Sequence, residues 1–132
     1  MTAATSDTFF DGRIRISQPT DGYRFSIDAV ILAHHVSLRP QETVLDLGTG
    51  CGIIAVLMAF RHPTVRFHAV EVQPVLAELA RSNVAANDLQ ERIDVHCLDM
   101  RSLKPSAWGA PMDVVVTMWE GSLWASMRGT KV

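Results

Sequence analysis

The chain has 132 residues, a hydrophobic fraction of 48% and a formal net charge of −2. This length fits about one domain, and the composition is ordinary for a protein with a folded core. The charge gives no electrostatic reason to expect a nucleic-acid partner, although a local basic face can coexist with a nearly neutral total.

The N-terminus and the longest apolar run indicate neither secretion nor a membrane span. Residues 1–10 lack the basic and apolar stretches of a signal peptide. Residues 53–60 are too few to cross a bilayer. Two cysteines do not make a disulfide framework, and we expect Cys51 to fill space in a loop and Cys97 to lie in a core strand. We therefore expect a reduced, cytoplasmic protein without a membrane partner.

The first predicted elements are a β-hairpin and a helix. Asp11-Gly12 is a turn signal between residues 8–10 and 14–16. A helix is predicted over residues 27–37, because Ser26 suits the N-cap position and an acidic residue follows in the first turn.

Strands and helices then alternate along the chain. The predicted strands cover residues 44–47, 65–70, 93–98 and 113–117, and the predicted helices cover residues 53–61 and 74–87. This alternation predicts an α/β protein with a doubly wound parallel sheet. Ligands in such sheets bind beyond the carboxyl ends of the strands.

A glycine-rich loop follows the first of these strands. Gly48, Gly50 and Gly52 stand on alternate positions, and glycine lets ligand atoms approach the backbone closely. A dinucleotide site would read G-x-G-x-x-G, but Ile53 occupies the third glycine position. Asp46 would repel a pyrophosphate and suits a cationic amino-acid head or a sulfonium. This combination resembles motif I of the class I S-adenosylmethionine-dependent methyltransferases.

Three acidic residues stand at or just after the ends of successive predicted strands. Asp46 closes the first, Glu71 follows the second and Asp99 follows the third. Glu71 follows Gly50 at close to the roughly 20-residue spacing of an acid that holds ribose hydroxyls. Asp99 can accept a hydrogen bond from an adenine amine, with Met100 against the base, or it can cap a helix. Together the three predict an adenosine-type cofactor.

The resemblance extends beyond the loop. Residues 18–33, which include Asp-Gly-Tyr-Arg-Phe-Ser at 21–26, look like the segment before motif I in bacterial tRNA adenine-N6-methyltransferases. That family modifies the adenine beside the anticodon in a valine tRNA. Glu71-Val72-Gln73, residues 79–84, Asn87 and Leu89 are similar to the same family, and the match covers residues 8–117. The resemblance implies a Rossmann-like fold, S-adenosylmethionine as cofactor and tRNA as partner.

The resemblance also implies which residues bind the cofactor. Residues 23–28 would close over its methionine end, and Arg24 is the candidate donor to its carboxylate. The candidate cofactor-binding residues are Asp46, Gly48, Thr49, Gly50, Cys51, Gly52, Glu71, Val72, Asp99, Met100, Arg24 and Thr117. The reaction would be in-line methyl transfer to an exocyclic amine, and no metal is expected, because the histidines lack metal-ligand spacing.

The catalytic motif of this family is absent from the sequence. It consists of Asn or Asp, then Pro-Pro and an aromatic residue, and it should follow the fourth strand, where its paired acceptors orient the target amine. No asparagine follows Asn87 and no proline follows Pro111. Trp119 or Trp124 would be able to stack on a base and Glu120 to accept from an amine, but they do not restore the paired acceptors. The catalytic residues therefore stay unassigned.

We therefore expect a chain truncated after about the fourth strand. The expected organisation is an N-terminal hairpin and helix (1–38), a Rossmann-like cofactor-binding half (39–117) and a non-matching tail without strand or helix periodicity (118–132). A shifted reading frame or a shortened homologue would look like this. The apolar fourth strand would be an exposed edge, so we expect self-association through residues 113–117 or marginal stability.

The leading functional hypothesis is a methyltransferase that acts on the N6 amine of adenine in tRNA and is inactive as this chain if the motif is missing. Rival acceptors are a guanine amine of ribosomal RNA and a glutamine amide of a release factor. A rival from another class is a non-catalytic module for S-adenosylmethionine binding or protein interaction. A nicotinamide oxidoreductase is disfavoured by Asp46 and Ile53.

Overall fold

The computed structural model describes residues 3–21 and 24–118, together with the backbone of residues 124–128. The strands are β1 (Ala4–Phe9), β2 (Ile14–Pro19), β3 (Thr43–Leu47), β4 (Arg66–Glu71), β5 (Ile93–Cys97), β6 (Val114–Met118) and β7 (Trp124–Arg128). The α-helices are α1 (Ile27–His35), α2 (Ile53–Arg61) and α3 (Pro74–Ala86), and short 3-10 helices cover Met100–Ser102 and Pro105–Trp108.

The main sheet has the strand order β5-β4-β3-β6-β7. Strands β5, β4, β3 and β6 are parallel, as predicted, and β7 is antiparallel to β6. The chain runs from β3 through β4 to β5 in one direction and then returns to the other side of β3. This reversal of strand order makes the carboxyl end of β3 the place where a ligand is expected.

The two faces of the sheet are covered unequally. One face carries the larger core, in which residues 53–59 of α2 are all buried, together with sheet residues such as Val44 and Phe67. The other face carries a smaller core of Leu45, Val70, Met112 and Val115. Because α2 is enclosed on all sides, its sequence is apolar throughout rather than amphipathic. Among the described residues, no helix is long and apolar enough to span a membrane.

The N-terminal elements agree with the sequence patterns. β1 pairs with β2 in an antiparallel hairpin whose turn contains Asp11 and Gly12. Ser26 occupies the N-cap of α1, as predicted, but its side chain makes no capping hydrogen bond. The helix ends two residues before the predicted position, at His35.

Two predictions about the end of the chain are wrong. Residues 124–128 form a strand although their sequence lacks strand periodicity, and β7 pairs with β6 from Val114 opposite Arg128 to Met118 opposite Trp124. Residues 113–117 are therefore not a free edge, and the self-association expected from that edge loses its basis. The physical reason is that any extended backbone can satisfy the unpaired N–H and C=O groups of an edge strand, whatever its side chains.

The prediction for Cys97 is also wrong. This cysteine is exposed rather than in the core, because it is the last residue of β5, which lies at an edge of the sheet. Cys51 is buried in the glycine loop, as predicted.

Candidate cofactor site

The glycine loop after β3 is held against the neighbouring strand β4. The backbone N–H groups of Gly48 and Thr49 both donate to the carbonyl oxygen of Val70 at 2.9 Å. All three loop glycines have left-handed backbone, and Gly52, with φ of +87°, is the N-cap of α2. A Cβ on Gly52 would lie 3.4 Å from the Cβ of Ala80 in α3. Gly52 is therefore favoured for its left-handed conformation, while a Cβ there would make an ordinary van der Waals contact with α3.

Glu71 connects the end of β4 to this loop. Its side chain is buried, and its Oε1 accepts a hydrogen bond from the backbone N–H of Gly50 at 3.0 Å. Its Oε2 accepts from the backbone N–H of Gln73 at 3.1 Å. Each carboxylate oxygen has about two acceptor positions, so both can still accept from a ligand hydroxyl. Glu71 thus organises the loop, a role that its sequence spacing did not indicate.

Asp46 is a buried carboxylate with one unsatisfied oxygen. The hydroxyl of Thr49 donates to its Oδ2 at 2.7 Å, and Oδ1 has no hydrogen-bond partner among the described residues. Burial raises the pKa of this carboxyl to about 6, the Thr49 hydrogen bond opposes the rise, and the charge of Glu71 adds to it. A buried polar atom without a partner is costly. Asp46 therefore fits a ligand that brings a positive charge or a hydrogen-bond donor.

Asp99 has the opposite environment. Its Oδ1 accepts from the backbone N–H of Arg101 at 2.9 Å, and its Oδ2 accepts from the guanidinium Nη2 of the same residue at 2.6 Å. The arginine side chain, and then its backbone N–H, lower the pKa of Asp99 to about 2. Asp99 thus caps the 3-10 helix Met100–Ser102, and an adenine amine would compete with Arg101 for its oxygens.

A cavity of about 340 Å³ lies at this end of the sheet, a volume within the usual range for small-molecule sites. It is lined by Gly48, Val70, Glu71, Val72, Leu98, Asp99, Met100 and Arg101. A larger cavity of about 480 Å³ lies between the hairpin and α3, where it is lined mainly by apolar residues. We assign the ligand site to the smaller cavity, because the glycine loop and two of the predicted carboxylates meet there.

Two predicted residues, Cys51 and Thr117, do not offer a charged or free polar group to a ligand. Burial raises the pKa of the Cys51 thiol to about 11, so the thiol stays neutral and is unsuited to act as a nucleophile. Thr117 lies opposite Leu47 at the carboxyl end of β6, and its hydroxyl donates to the Leu47 carbonyl at 3.1 Å.

The structure does not place Arg24 among the residues that line the cavity, and the same is true of Asp46, of residues 49–52 and of Thr117. The Nη1 of Arg24 donates to the Thr5 hydroxyl at 2.9 Å and to the Pro19 carbonyl at 2.6 Å, so the guanidinium fastens the end of the hairpin. Three residues that the sequence offers as site candidates lie outside the described residues, namely Tyr23, Trp119 and Glu120, and so does the side chain of Trp124.

Asn83 also belongs to the site, although no sequence motif indicated it as a site residue. This α3 side chain is buried, and its Nδ2 donates to the Cys51 carbonyl in the glycine loop at 2.8 Å. The available signal was a polar residue on the apolar face of a helix, three positions after Ala80 and four before Asn87. Such a residue needs buried hydrogen-bond partners.

Comparison with known proteins agrees with this architecture. The family model "Methyltransferase small domain" matches residues 24–117. The chain belongs to the methyltransferase small domain family. This membership confirms the class I methyltransferase resemblance and explains why a glycine loop and carboxylates gather at the carboxyl ends of the strands.

Relatives of this methyltransferase small domain include two bacterial proteins named tRNA1(Val) (adenine(37)-N6)-methyltransferase. The Porphyromonas gingivalis protein is 32% identical over 118 residues, which cover 85% of this chain and 46% of that protein. The Yersinia pestis (strain Pestoides F) protein is 39% identical over 74 residues, which cover 55% of this chain and 30% of that protein. The chain thus matches less than half the length of either relative.

A solved structure shows the same fold. The apo form of the S-adenosylmethionine-dependent methyltransferase SibL superposes with a TM-score of 0.60 at 26% identity. The superposition covers 75% of this chain and 28% of the SibL chain.

Proposed function

We propose that this chain binds S-adenosylmethionine in the 340 Å³ cavity and is the cofactor-binding part of an RNA adenine-N6-methyltransferase. The observation that carries the proposal is the buried Oδ1 of Asp46, which has no partner among the described residues and lies two positions before Gly48, the loop residue that lines the cavity. A loop that binds a dinucleotide faces an anionic pyrophosphate, which a carboxylate would repel. The ammonium group and the sulfonium of S-adenosylmethionine are both cations, which a carboxylate attracts. Bound there, the cofactor would supply an electrophilic methyl group.

The remaining candidate residues would contact different parts of the cofactor. Glu71 retains acceptor positions for the ribose hydroxyls. Val72 and Met100 are exposed apolar side chains at the cavity, suited to pack on the adenine. Asp99 would receive the adenine amine in place of Arg101. The loop residues 48–52 would present their backbone to the cofactor.

Three further candidates have weaker support. Arg24 would have to leave the hairpin to reach the carboxylate of the cofactor. Cys51 and Thr117 would act through their position beside the loop rather than through free polar groups, because the thiol is neutral and the hydroxyl is bonded to Leu47.

The methyl acceptor is proposed from the relatives, whose names specify adenine in a valine tRNA. A tRNA substrate would place the protein in the cytoplasm. The paired acceptors of the Asn-Pro-Pro-aromatic motif are absent from the sequence, so we propose that residues 39–117 bind the cofactor and that this chain does not transfer methyl by itself. The guanine and glutamine acceptors use the same planar nitrogen chemistry and remain alternatives.

Calorimetric titration with S-adenosylmethionine and with NAD⁺, followed by a methyl-transfer assay on unmodified tRNA, tests this proposal. We expect binding of S-adenosylmethionine, no heat with NAD⁺ and no transfer above background. Absence of S-adenosylmethionine binding would overturn the assignment of the cofactor. Measurable transfer would show that residues after β6 provide the acceptor groups, contrary to our proposal.

A second measurement separates part of an RNA methyltransferase from a module without any role on RNA. A fluorescence titration with the same tRNA should show saturable binding that weakens with added salt, because phosphate contacts release counterions. A module that only binds S-adenosylmethionine would give no saturation with the tRNA.

A further inference from the structure

The side-chain amide of Asn83 joins three separate parts of the chain. From its position in α3, its Nδ2 donates to the carbonyl of Ser17 in β2 and to the carbonyl of Cys51 in the glycine loop, both at 2.8 Å. Its Oδ1 accepts from the backbone N–H of Ser17, also at 2.8 Å. Both amide hydrogens of a buried side chain are therefore engaged, one on the hairpin and one on the loop.

The contact with Cys51 fixes one peptide unit of the loop. The carbonyl of the Cys51–Gly52 peptide accepts from Asn83, and the N–H of the same peptide donates to the Thr49 carbonyl at 2.9 Å. A peptide unit is planar, so bonds at both ends set its orientation. Gly52 is the N-cap of α2, and the first N–H groups of a helix point toward the loop that precedes it. The orientation of this peptide thus sets how the start of α2 meets a ligand in the loop.

Asn87 provides a natural comparison, because it lies one turn after Asn83, at the C-cap of α3. Its Oδ1 accepts from the Arg15 N–H at 2.9 Å, and its Nδ2 donates to the Arg15 carbonyl at 2.7 Å. Its second amide hydrogen goes to the Asn83 carbonyl at 2.8 Å rather than to the loop. Both asparagines therefore hold β2 in the same way, and Asn83 additionally holds the glycine loop.

We propose that Asn83 is a positioning residue that couples the β1–β2 hairpin to the cofactor loop. This inference rests on the proposed function, since it assigns Asn83 a role in S-adenosylmethionine binding. A shift of β2 moves the Ser17 partner of the amide, and the amide carries that shift to the Cys51 carbonyl. Whatever binds the hairpin therefore changes the affinity for the cofactor, and the cofactor in turn orders the hairpin, because coupling between two sites is reciprocal.

The experiment compares Asn83→Ala with Asn87→Ala in the full chain. Both variants lose two hydrogen bonds to β2, but only Asn83→Ala frees the Cys51 carbonyl. We expect the Kd for S-adenosylmethionine to rise about fivefold in Asn83→Ala, the factor that one hydrogen bond is typically worth, and to change less than twofold in Asn87→Ala. The backbone ¹⁵N resonance of Gly52 should shift in Asn83→Ala alone, a signature that a general loss of stability does not produce.

A measurement on the wild-type protein keeps the proposal testable if Asn83→Ala does not fold. Hydrogen exchange of the two side-chain amides is followed by NMR with and without S-adenosylmethionine. We expect the cofactor to slow exchange at Asn83 more than at Asn87. Equal slowing at both amides, or equal Kd values in the two variants, overturns the coupling while leaving the proposed function intact. Failure of the wild-type protein to bind S-adenosylmethionine removes both.

Discussion

Asp46, near the end of β3 and before the glycine loop, and Asp99, two residues after β5, lie at the same end of one sheet, yet their surroundings are opposite. Asp46 is buried, its pKa is raised to about 6, and one of its oxygens has no partner among the described residues. Asp99 is solvent-accessible, its pKa is lowered to about 2, and Arg101 occupies its oxygens. A carboxylate that the protein leaves unsatisfied gains most from a ligand, whereas one that is already paired gains little. The loop after β3 should therefore dominate binding, and the segment after β5 should adjust it.

The largest effect is expected from Asp46→Asn. Removing one partner of a buried charged contact costs roughly 2–5 kcal/mol, so the affinity for S-adenosylmethionine should fall at least about thirtyfold. Without ligand, the Asp46→Asn variant should be more stable than the wild type at pH 8. Burial raises the pKa of Asp46 from its ordinary value of 3.8 to about 6, so the free energy of unfolding of the wild type falls by about 3 kcal/mol in total as the pH rises through this interval.

The matched control is Asp99→Asn, which should change both the affinity for S-adenosylmethionine and the free energy of unfolding only slightly. Calorimetry gives the affinities and urea denaturation gives the free energies of unfolding at pH 8. Similar losses of affinity in the two variants would show that burial does not distinguish the two carboxylates.

Gly52 and Gly109 extend the comparison to the backbone of the two regions. Both have left-handed backbone, with φ of +87° and +71°. A Cβ on Gly52 would meet Ala80 at 3.4 Å, whereas a Cβ on Gly109 would meet nothing within 4 Å. Strain of roughly 1 kcal/mol should therefore affect both alanine variants alike, because 3.4 Å is an ordinary van der Waals distance and adds no clash at Gly52. Urea denaturation measures both, and a clearly larger loss of stability in Gly52→Ala would show that the glycine loop does not tolerate a side chain beside α3.

The pH dependence of cofactor binding should follow Asp46. A cation near Asp46 lowers its pKa, so binding releases a proton below about pH 6 and affinity increases as pH rises through that value. For a pKa of about 6 the Kd should fall about tenfold between pH 5 and pH 7.5, and it should stay constant above. Titrations across this range should give a flat profile for Asp46→Asn. A flat wild-type profile would show that Asp46 does not meet the positive charge.

The sequence predicts the secondary structure around this site better than the side-chain contacts within it. The helix expected at 74–87 is observed at Pro74–Ala86, because proline at the first helical position and an apolar stripe are local signals. The positions of Asp46, Glu71 and Asp99 within two residues of the strand ends follow from another local signal, the short apolar run of each strand. The pairing of Asp99 with Arg101, the contact of Asn83 with Cys51 and the strand β7 depend on which groups tertiary structure leaves unpaired. Residue periodicity does not record that information.

The smallest effect is expected from Arg101→Ala, which tests whether the exposed region only adjusts binding. The side chain of Arg101 is exposed, and exposed ion pairs contribute little, so freeing Asp99 for the adenine amine should lower the Kd by no more than about threefold. Lys104→Ala is the matched control, since it removes the same charge nearby without freeing Asp99. Tighter binding in Arg101→Ala alone would identify Arg101 as a competitor for Asp99. Weaker binding would mean that Arg101 itself contacts the cofactor, and the second region would then contribute more than its paired carboxylate suggests.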